Sequence, residues 1–265
     1  MEFILIDGSY FIYHRYYSLK NWWKNAKRET ESEIPFENER FIEKYKTTFK
    51  KKITEIKKKY TTINTPIILV GKDCNSKDIW RRVHFQEYKY GRKKDDIGIK
   101  DSFMTAYRDE LFKAGGVNAI LYDRNLEADD CIAITTNHIC SKYPSAKITI
   151  ITSDMDYLQL ASDTVKLYNL NNKALTDSKC SFNNPDKDLF CKIVAGDKSD
   201  NIKPVFSRCG IKTAAKYYQN KEEFEKKLMQ NKEANDIYKL NQKLIDFKNI
   251  PEDLVKRFKH QCLML

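Results

Sequence analysis

The stretch LEADDCIAI, residues 126–134, packs Glu127, Asp129 and Asp130 into four consecutive positions just before an apolar run. Two further segments repeat the crowding: TSDMD at 152–156 brings Asp154 and Asp156, and GDKSDNI at 196–202 brings Asp197 and Asp200. Asp7 in LIDGS and Asp73 in GKDCN complete the set. Two unit charges about 5 Å apart repel by roughly 3 kcal/mol at an effective dielectric near 20, against a domain stability of only about 5–15 kcal/mol. If these acids meet, positive charge must sit among them. Hard divalent cations fit that need, because the chain has four histidines and no CxxC pair. The acids are too many for one Mg²⁺, which keeps most of its waters; two ions about 4 Å apart suit phosphoryl chemistry. Singly, each motif has a plainer reading. A strand-ending Asp caps a helix, EADD favours a helix dipole, and DxD arises by chance.

The elements that must position these acids follow from the apolar runs. Phe3–Ile6, Pro66–Val70, Ala119–Tyr122, Ile148–Thr152 and Val165–Tyr168 read as buried strands. Helical period lies between them: Phe49, Ile53, Ile56 and Tyr60 form one stripe flanked by lysines, and residues 101–114 and 128–142 read as helices. Alternation of this kind predicts an α/β fold with a mostly parallel sheet covered on both faces. In such sheets the carboxyl ends of the strands share one edge, where ligands bind. Asp7, Asp73, Asp123 with Glu127, and Asp154 with Asp156 all fall at strand ends, so the spacing predicts that they converge. Glu127 and Asp130, like Asp197 and Asp200, are i, i+3 neighbours. Lys20–Asn38 reads as a charged loop, and its NWW serves either as a core anchor or as a base-stacking platform. From Asn201 onward the strand signal ends and a polar, Lys-rich helical region follows.

The charge balance points to the partner. Lys and Arg number 48 against 37 acids, and this excess of +11 favours a polyanion, nucleic acid before membrane. A hydrophobic fraction of 41% supplies a sizeable core and argues against global disorder. MEFILIDGSY is too short an apolar run for a signal peptide, and no window has the ~18 apolar residues of a spanning helix. Seven cysteines without paired spacing suggest a reduced, cytoplasmic protein with incidental thiols. Between Asp73 and Lys94 the cations Arg81, Arg82, Lys89, Arg92, Lys93 and Lys94 alternate with Trp80, Phe85, Tyr88 and Tyr90. Aromatic faces beside cations suit a phosphate backbone and unstacked bases. An acid cluster facing a cationic wall suits hydrolysis of a phosphodiester.

The ordered motifs LIDGS, DCNSKDIWRR, YKYGRK, LEADD, SDMD and GDKSDNI, with LIDFKNIPEDL near the end, give the chain a family likeness. It resembles the flap-endonuclease and 5′→3′ exonuclease family, most closely the T-even phage ribonuclease H type, a 5′-nuclease unrelated in fold to cellular ribonuclease H. The resemblance implies a PIN-like nuclease domain over about residues 1–200, with a helical arch at about 90–115, and a helical duplex-binding region over about 201–265. It implies a tighter metal group on Asp7, Asp73, Glu127, Asp129 and Asp130, and a second on Asp154, Asp156, Asp197 and Asp200. Lys89 and Arg92 match a Tyr-Lys-x-x-Arg signature whose Lys and Arg approach the scissile phosphate. Asp130 and Asp154 are the acids whose loss is expected to stop cleavage.

The implied activity is Mg²⁺-dependent hydrolysis, with two ions and Mn²⁺ able to substitute, of RNA primers or DNA flaps during replication or repair. The implied substrates are DNA and RNA–DNA hybrids with a 5′ single-stranded end, met by a monomer. A single-strand-binding protein or sliding clamp would be the protein partner, and the Lys-, Asn- and Ile-rich composition points toward a phage or virus. A nucleic-acid-binding protein of the same fold with reduced catalysis and a small PIN-type ribonuclease are the rival readings. One departure stands out. Where the family continues with Pro-Gly-Val-Pro-Gly-Ile-Gly, this chain reads KPVFSRCGIK, keeping Gly210 alone. Arg208, Lys212 and Lys216 would then hold duplex by charge, with Tyr88, Arg81, Arg82, Lys93 and Lys94 on the single-strand side.

Overall fold

A computed structural model describes residues 1–63, 65–91, 96 and 98–263. In chain order the elements are β1 (Glu2–Asp7), α1 (Gly8–Ala26), α2 (Glu39–Tyr60), β2 (Ile67–Gly71), α3 (Arg81–His84), α4 (Ile99–Arg108), α5 (Leu111–Ala114) and β3 (Ala119–Leu121). Then come α6 (Ala128–Lys142), β4 (Lys147–Ile151), β5 (Val165–Tyr168), α7 (Pro185–Ala195), α8 (Ile211–Gln219), α9 (Lys221–Gln230), α10 (Lys232–Ile245) and α11 (Glu252–Cys262). Among the described residues the strands form one parallel sheet in the order β3-β2-β1-β4-β5. This is the expected α/β, PIN-like architecture. The order reverses between β1 and β4, which opens a crevice at their carboxyl ends. Asp7 ends β1, and Asp154 follows β4 by three residues.

Alternation along β1 assigns the two layers. Phe3 and Leu5 pack with α6 and, through Leu254 and Phe258, with α11. Ile4 and Ile6 pack with α1, α2, α4 and α5 through Phe11, Tyr45, Phe49, Ala106 and Phe112. The stripe Phe49, Ile53, Ile56 on α2 is buried as its period predicts, and its lysines cap the solvent side. α1 differs from expectation: it runs through Ala26, so the first third of Lys20–Asn38 is helix. Its stripe of Phe11, Ile12, Tyr16, Leu19 and Trp23 is built largely from aromatic residues with polar tips, which blurs the period. Trp23 is a core anchor against Phe41, whereas Trp22 is partly exposed beneath Arg40 and Lys44. The helix expected over 101–114 breaks in two at Glu110, whose φ of 48° is left-handed.

The C-terminal helices are continuous with this body. Cys191 and Val194 of α7 share an apolar cluster with Ala214, Phe224 and Leu228, so the helical core draws on both sides of residue 200. Arg257 of α11 reaches back to Asp123, donating at 2.8 and 2.6 Å, and to Asn125 at 3.0 Å. Asp123, expected among the converging acids, is therefore turned away: it closes an ion pair that docks α11 and leaves the crevice to the others. No described helix is long and apolar enough to cross a membrane.

Arg257→Ala should lower the unfolding free energy by about 2 kcal/mol, since it strands a buried carboxylate that had charge-assisted partners. Urea denaturation of the two proteins measures that difference.

Candidate metal centre

The crevice floor is built from helix starts. Asp7 caps α1 by accepting from the Tyr10 amide at 3.0 Å, and takes a second hydrogen bond from the Thr152 hydroxyl at 3.1 Å. Asp73 accepts from the Ala128 amide at 2.8 Å and from the Ser9 hydroxyl. Gly8 is obligatory, because a Cβ there would lie 2.5 Å from the Gly71 carbonyl and push β1 from β2. At the start of α6, Glu127 and Asp130 form a reciprocal capping box. The four orphan amides of that helix end favour negative charge. Oxygens of Glu127, Asp129 and Asp130 all lie within 4.8 Å of one another.

Arg81 holds this cluster. It is 2% exposed and donates to Glu127 at 2.8 Å, to both oxygens of Asp130 at 2.9 and 2.7 Å, and to the Leu244 carbonyl at 2.7 Å. Asp130 also accepts from Trp80 Nε1 at 2.9 Å and the Glu127 amide at 3.0 Å, which occupies the lone pairs a carboxylate offers. Asp130 thus anchors the guanidinium. Arg81 and Tyr88, expected on the nucleic-acid wall, are corrected to interior residues: each is 2% exposed. The sequence pattern of cations between aromatics was real, but the acids drew Arg81 inward. The Tyr88 hydroxyl meets Asp200 at 3.0 Å.

The second acid group lies across the crevice. Asp154 caps the 3-10 turn Met155–Leu160, accepting from the Asp156 amide at 2.9 Å. Lys192, which sequence reasoning missed, places its ammonium 2.7 Å from Asp156 and 2.6 Å from Asp197. Asp197 sits in a loop closed by mutual Asp197–Ile202 hydrogen bonds of 2.9 and 2.7 Å. Gly196 permits that closure: its φ is 69°, and a Cβ would meet the Ile202 carbonyl at 2.5 Å. The loop also reaches Lys89, whose amide donates to the Asp200 carbonyl at 3.0 Å. Lys89 has a left-handed φ of 58°, and its ammonium pairs with Glu127 and lies 3.9 Å from Asp200.

Electrostatics follow the geometry. Burial and then the Asp73 charge push Asp7 up to about 6. Burial and then Asp154 push Asp156 up to about 7, with Lys192 opposing. Asp129 is raised well above the carboxylate range by burial and by Asp130. Although burial works against it, Glu127 is held low by Lys89 and Arg81, and Asp197 by Lys192. Among the described residues, the ion pairs to these nine carboxylates come from Arg81, Lys89 and Lys192. An all-oxygen donor set with this excess of negative charge fits hard divalent cations.

The other expected residues are placed as follows. Arg82 is half-buried; Lys212 and Lys216 are solvent-exposed one turn apart on α8, and Arg208, exposed before that helix, has a left-handed conformation. Arg92, Lys93 and Lys94 lie outside the described residues. Beside Asp73, a cavity of about 650 Å³ is lined by Ser9, Lys72, Lys100, Phe103 and Tyr107. Lys72 sits 4.4 Å over the Tyr107 ring, whose hydroxyl is buried without a hydrogen-bond partner.

Known proteins share this fold. The family described as 5′-3′ exonuclease, N-terminal resolvase-like domain, matches residues 2–184. The 5′-3′ exonuclease of Buchnera aphidicola subsp. Acyrthosiphon pisum is 25% identical over 215 residues, 80% of this chain and 68% of that protein. That of Mycoplasmopsis pulmonis is 28% identical over 243 residues, 85% of this chain and 68% of that protein. Among solved structures, bacteriophage T5 5′-exonuclease with bound zinc superposes with a TM-score of 0.66 at 19% identity, over 99% of this chain and 98% of that one. The bacteriophage T5 flap endonuclease in a pseudo-enzyme–product complex with DNA and metal ions gives 0.66 at 18%, with the same coverage. At these identities the structural likeness establishes the fold. With a domain match that spans well over half its length, the chain belongs to the 5′-3′ exonuclease family of nucleases.

Proposed function

We propose that this protein is a Mg²⁺-dependent 5′-nuclease that hydrolyses phosphodiester bonds of RNA primers or DNA flaps at a junction with duplex. The observation that carries the reading is the cluster of Glu127, Asp129 and Asp130, whose oxygens lie within 4.8 Å of one another, with the Asp7 and Asp154 carboxylates at the same crevice. Asp7, Asp73, Glu127 and Asp129 would hold one ion above the Arg81–Asp130 anchor, and Asp154, Asp156, Asp197 and Asp200 would hold a second. Ions bound there supply Lewis acidity at the scissile phosphate.

The chain's own groups do the rest. Lys89, fixed by its backbone bond to the Asp200 loop, presents an ammonium at the crevice mouth for a phosphate oxygen. The cavity beside Asp73, with Lys72, Lys100 and Phe103, offers cations and an aromatic face to the nucleotide next to the scissile bond. Residues 201–265 form the duplex-binding half, with Arg208, Lys212 and Lys216 meeting the backbone through charge. Relatives named as exonucleases and a neighbour bound to DNA support this assignment.

The direct test is a labelled 5′-flapped duplex, and the same junction with an RNA 5′ strand, incubated with Mg²⁺. Asp154→Asn should reduce cleavage at least 100-fold with junction affinity largely kept; full cleavage by this variant would overturn the proposal. Changing Arg208, Lys212 and Lys216 together to Ala should weaken junction binding and flatten the plot of log K against log[salt] by roughly 2–3, as read by fluorescence anisotropy.

Stability supplies a check that does not depend on cleavage. Asp7 and Asp156 have folded-state values of about 6 and about 7, above the ordinary carboxylate range. Their protonated forms favour the fold, so the stability these two groups contribute to the metal-free protein is full below about pH 4 and is lost as pH rises through 6–7. Between pH 5 and 8 its Tm should fall by roughly 5 °C, and millimolar Mg²⁺ or Mn²⁺ should restore it. A Tm that is level with pH and indifferent to divalent ions, followed by calorimetry, would contradict the site.

A further inference from the structure

Lys192 projects from the last turns of α7 into the second acid group. Its ammonium bridges Asp156 Oδ1 at 2.7 Å and Asp197 Oδ2 at 2.6 Å, and its side chain is only 22% exposed. The position is fixed from both sides. α7 is capped by Asn184 with Pro185 in its first turn, and the left-handed Gly196 folds the following loop back so that Asp197 faces the helix it has just left. The other oxygen of Asp197 accepts from the Ser199 amide and hydroxyl, both at 2.7 Å. The oxygens nearest the crevice in Asp156 and Asp197 are therefore held by one ammonium. The Glu127–Asp129 side differs: Arg81 and Lys89 both pair with Glu127 there, but among the described residues no cation bridges it to Asp129, which has no ion pair.

We propose that Lys192 is a built-in counter-ion for the second ion position, a positioning residue that must swing away before a second divalent ion can bind. This rests on the nuclease reading of the same site and adds an order of events to it. A first ion at Glu127 and Asp129 would meet only the Lys89 ammonium on Glu127. A second would have to displace a charge-assisted hydrogen bond to Asp197 and an ion pair to Asp156 held by one ammonium, so its affinity would be lower by the strength of that pairing. The ammonium also shields Asp156 from Asp197 while the second position is vacant, which keeps the loop 196–202 folded onto α7.

Mn²⁺ titration of the nucleic-acid-free full chain, followed by electron paramagnetic resonance and calorimetry, tests the idea. The unaltered protein should show two classes of site, one tight and one weak. Lys192→Met, which keeps the stem and removes the charge, should tighten the weak class at least tenfold and leave the tight class unchanged; Lys192→Arg should keep it weak. A weak class unchanged or weakened in Lys192→Met would overturn the proposal while leaving the nuclease reading standing, and no Mn²⁺ binding by the unaltered chain would sink both. Should Lys192→Met melt at low temperature, ¹⁵N-lysine NMR of the unaltered chain decides. The protected Lys192 ammonium signal should persist through the first equivalent of Mg²⁺ and vanish with the second, and its loss with the first would refute the exchange.

Discussion

One buried guanidinium organises the catalytic half of this molecule. Arg81 leaves the chain ten residues after β2, yet its four hydrogen bonds reach the first turn of α6 and the last turn of α10. Burying a charge is tolerable only when its partners are complete, and here they are: two carboxylates and a backbone carbonyl, with the Trp80 ring 4.7 Å away. The consequence is long-range. Leu244 lies in the C-terminal helices, so the register of those helices is tied through a single side chain to the acids at the crevice floor. Arg257 and Asp123 make a second tie on the other flank. The helical region thus cannot drift relative to the centre it would serve.

That arrangement also explains how the fold survives its own electrostatics. The acids are divided by depth. Burial shifts Asp7, Asp129, Asp130 and Asp156 all upward, but Asp130, the deepest, is clasped on both oxygens by Arg81 and acts as a foundation. Strain of this kind is what an ion-binding centre requires, because an acid already satisfied by a neighbour has nothing left to offer a cation. Stability is supplied elsewhere, by aromatic packing of α1, α2 and α5 around Phe49 and Phe112 and by the α6–α11 layer.

Much of this was legible in the sequence because two periodicities are strict. The central strands β1 and β2 were readable as apolar runs since they are buried on both faces, and the shared carboxyl edge follows from parallel order, so a meeting of Asp7, Asp73, Glu127 and Asp154 could be expected from the sequence. What failed was everything decided by competition between side chains. Arg81 and Tyr88 look like surface cations and aromatics until one knows that acids lie behind them. Asp123 looks like a member of the cluster until Arg257, 134 residues later, claims it. Lys192 carries no local signature at all: it lies inside an ordinary helix five residues before Asp197, and only the tight turn at Gly196 makes the two meet. The length of α1 escaped notice because tyrosines and tryptophans can face either way.

The segment after GDKSDNI shows how a motif can change its material and keep its place. Without successive glycines the backbone cannot approach a ligand closely, and side chains set the conformation. Val205 and Cys209 are buried, and Phe206 packs against Tyr217 and Phe224 at 5.5 and 6.0 Å. This apolar pinning leaves Arg208 exposed in a left-handed turn just before α8, which carries the exposed Lys212 and Lys216. A grip that depended on backbone dipoles around a monovalent ion would be geometrically specific and little affected by salt. Three exposed cations instead give attraction that is strong at low ionic strength, tolerant of register and screened within about 10 Å at 0.1 M salt. The aromatic pinning and the exposed cations belong to one segment: the side chains that fix its conformation also leave three positive charges on its surface.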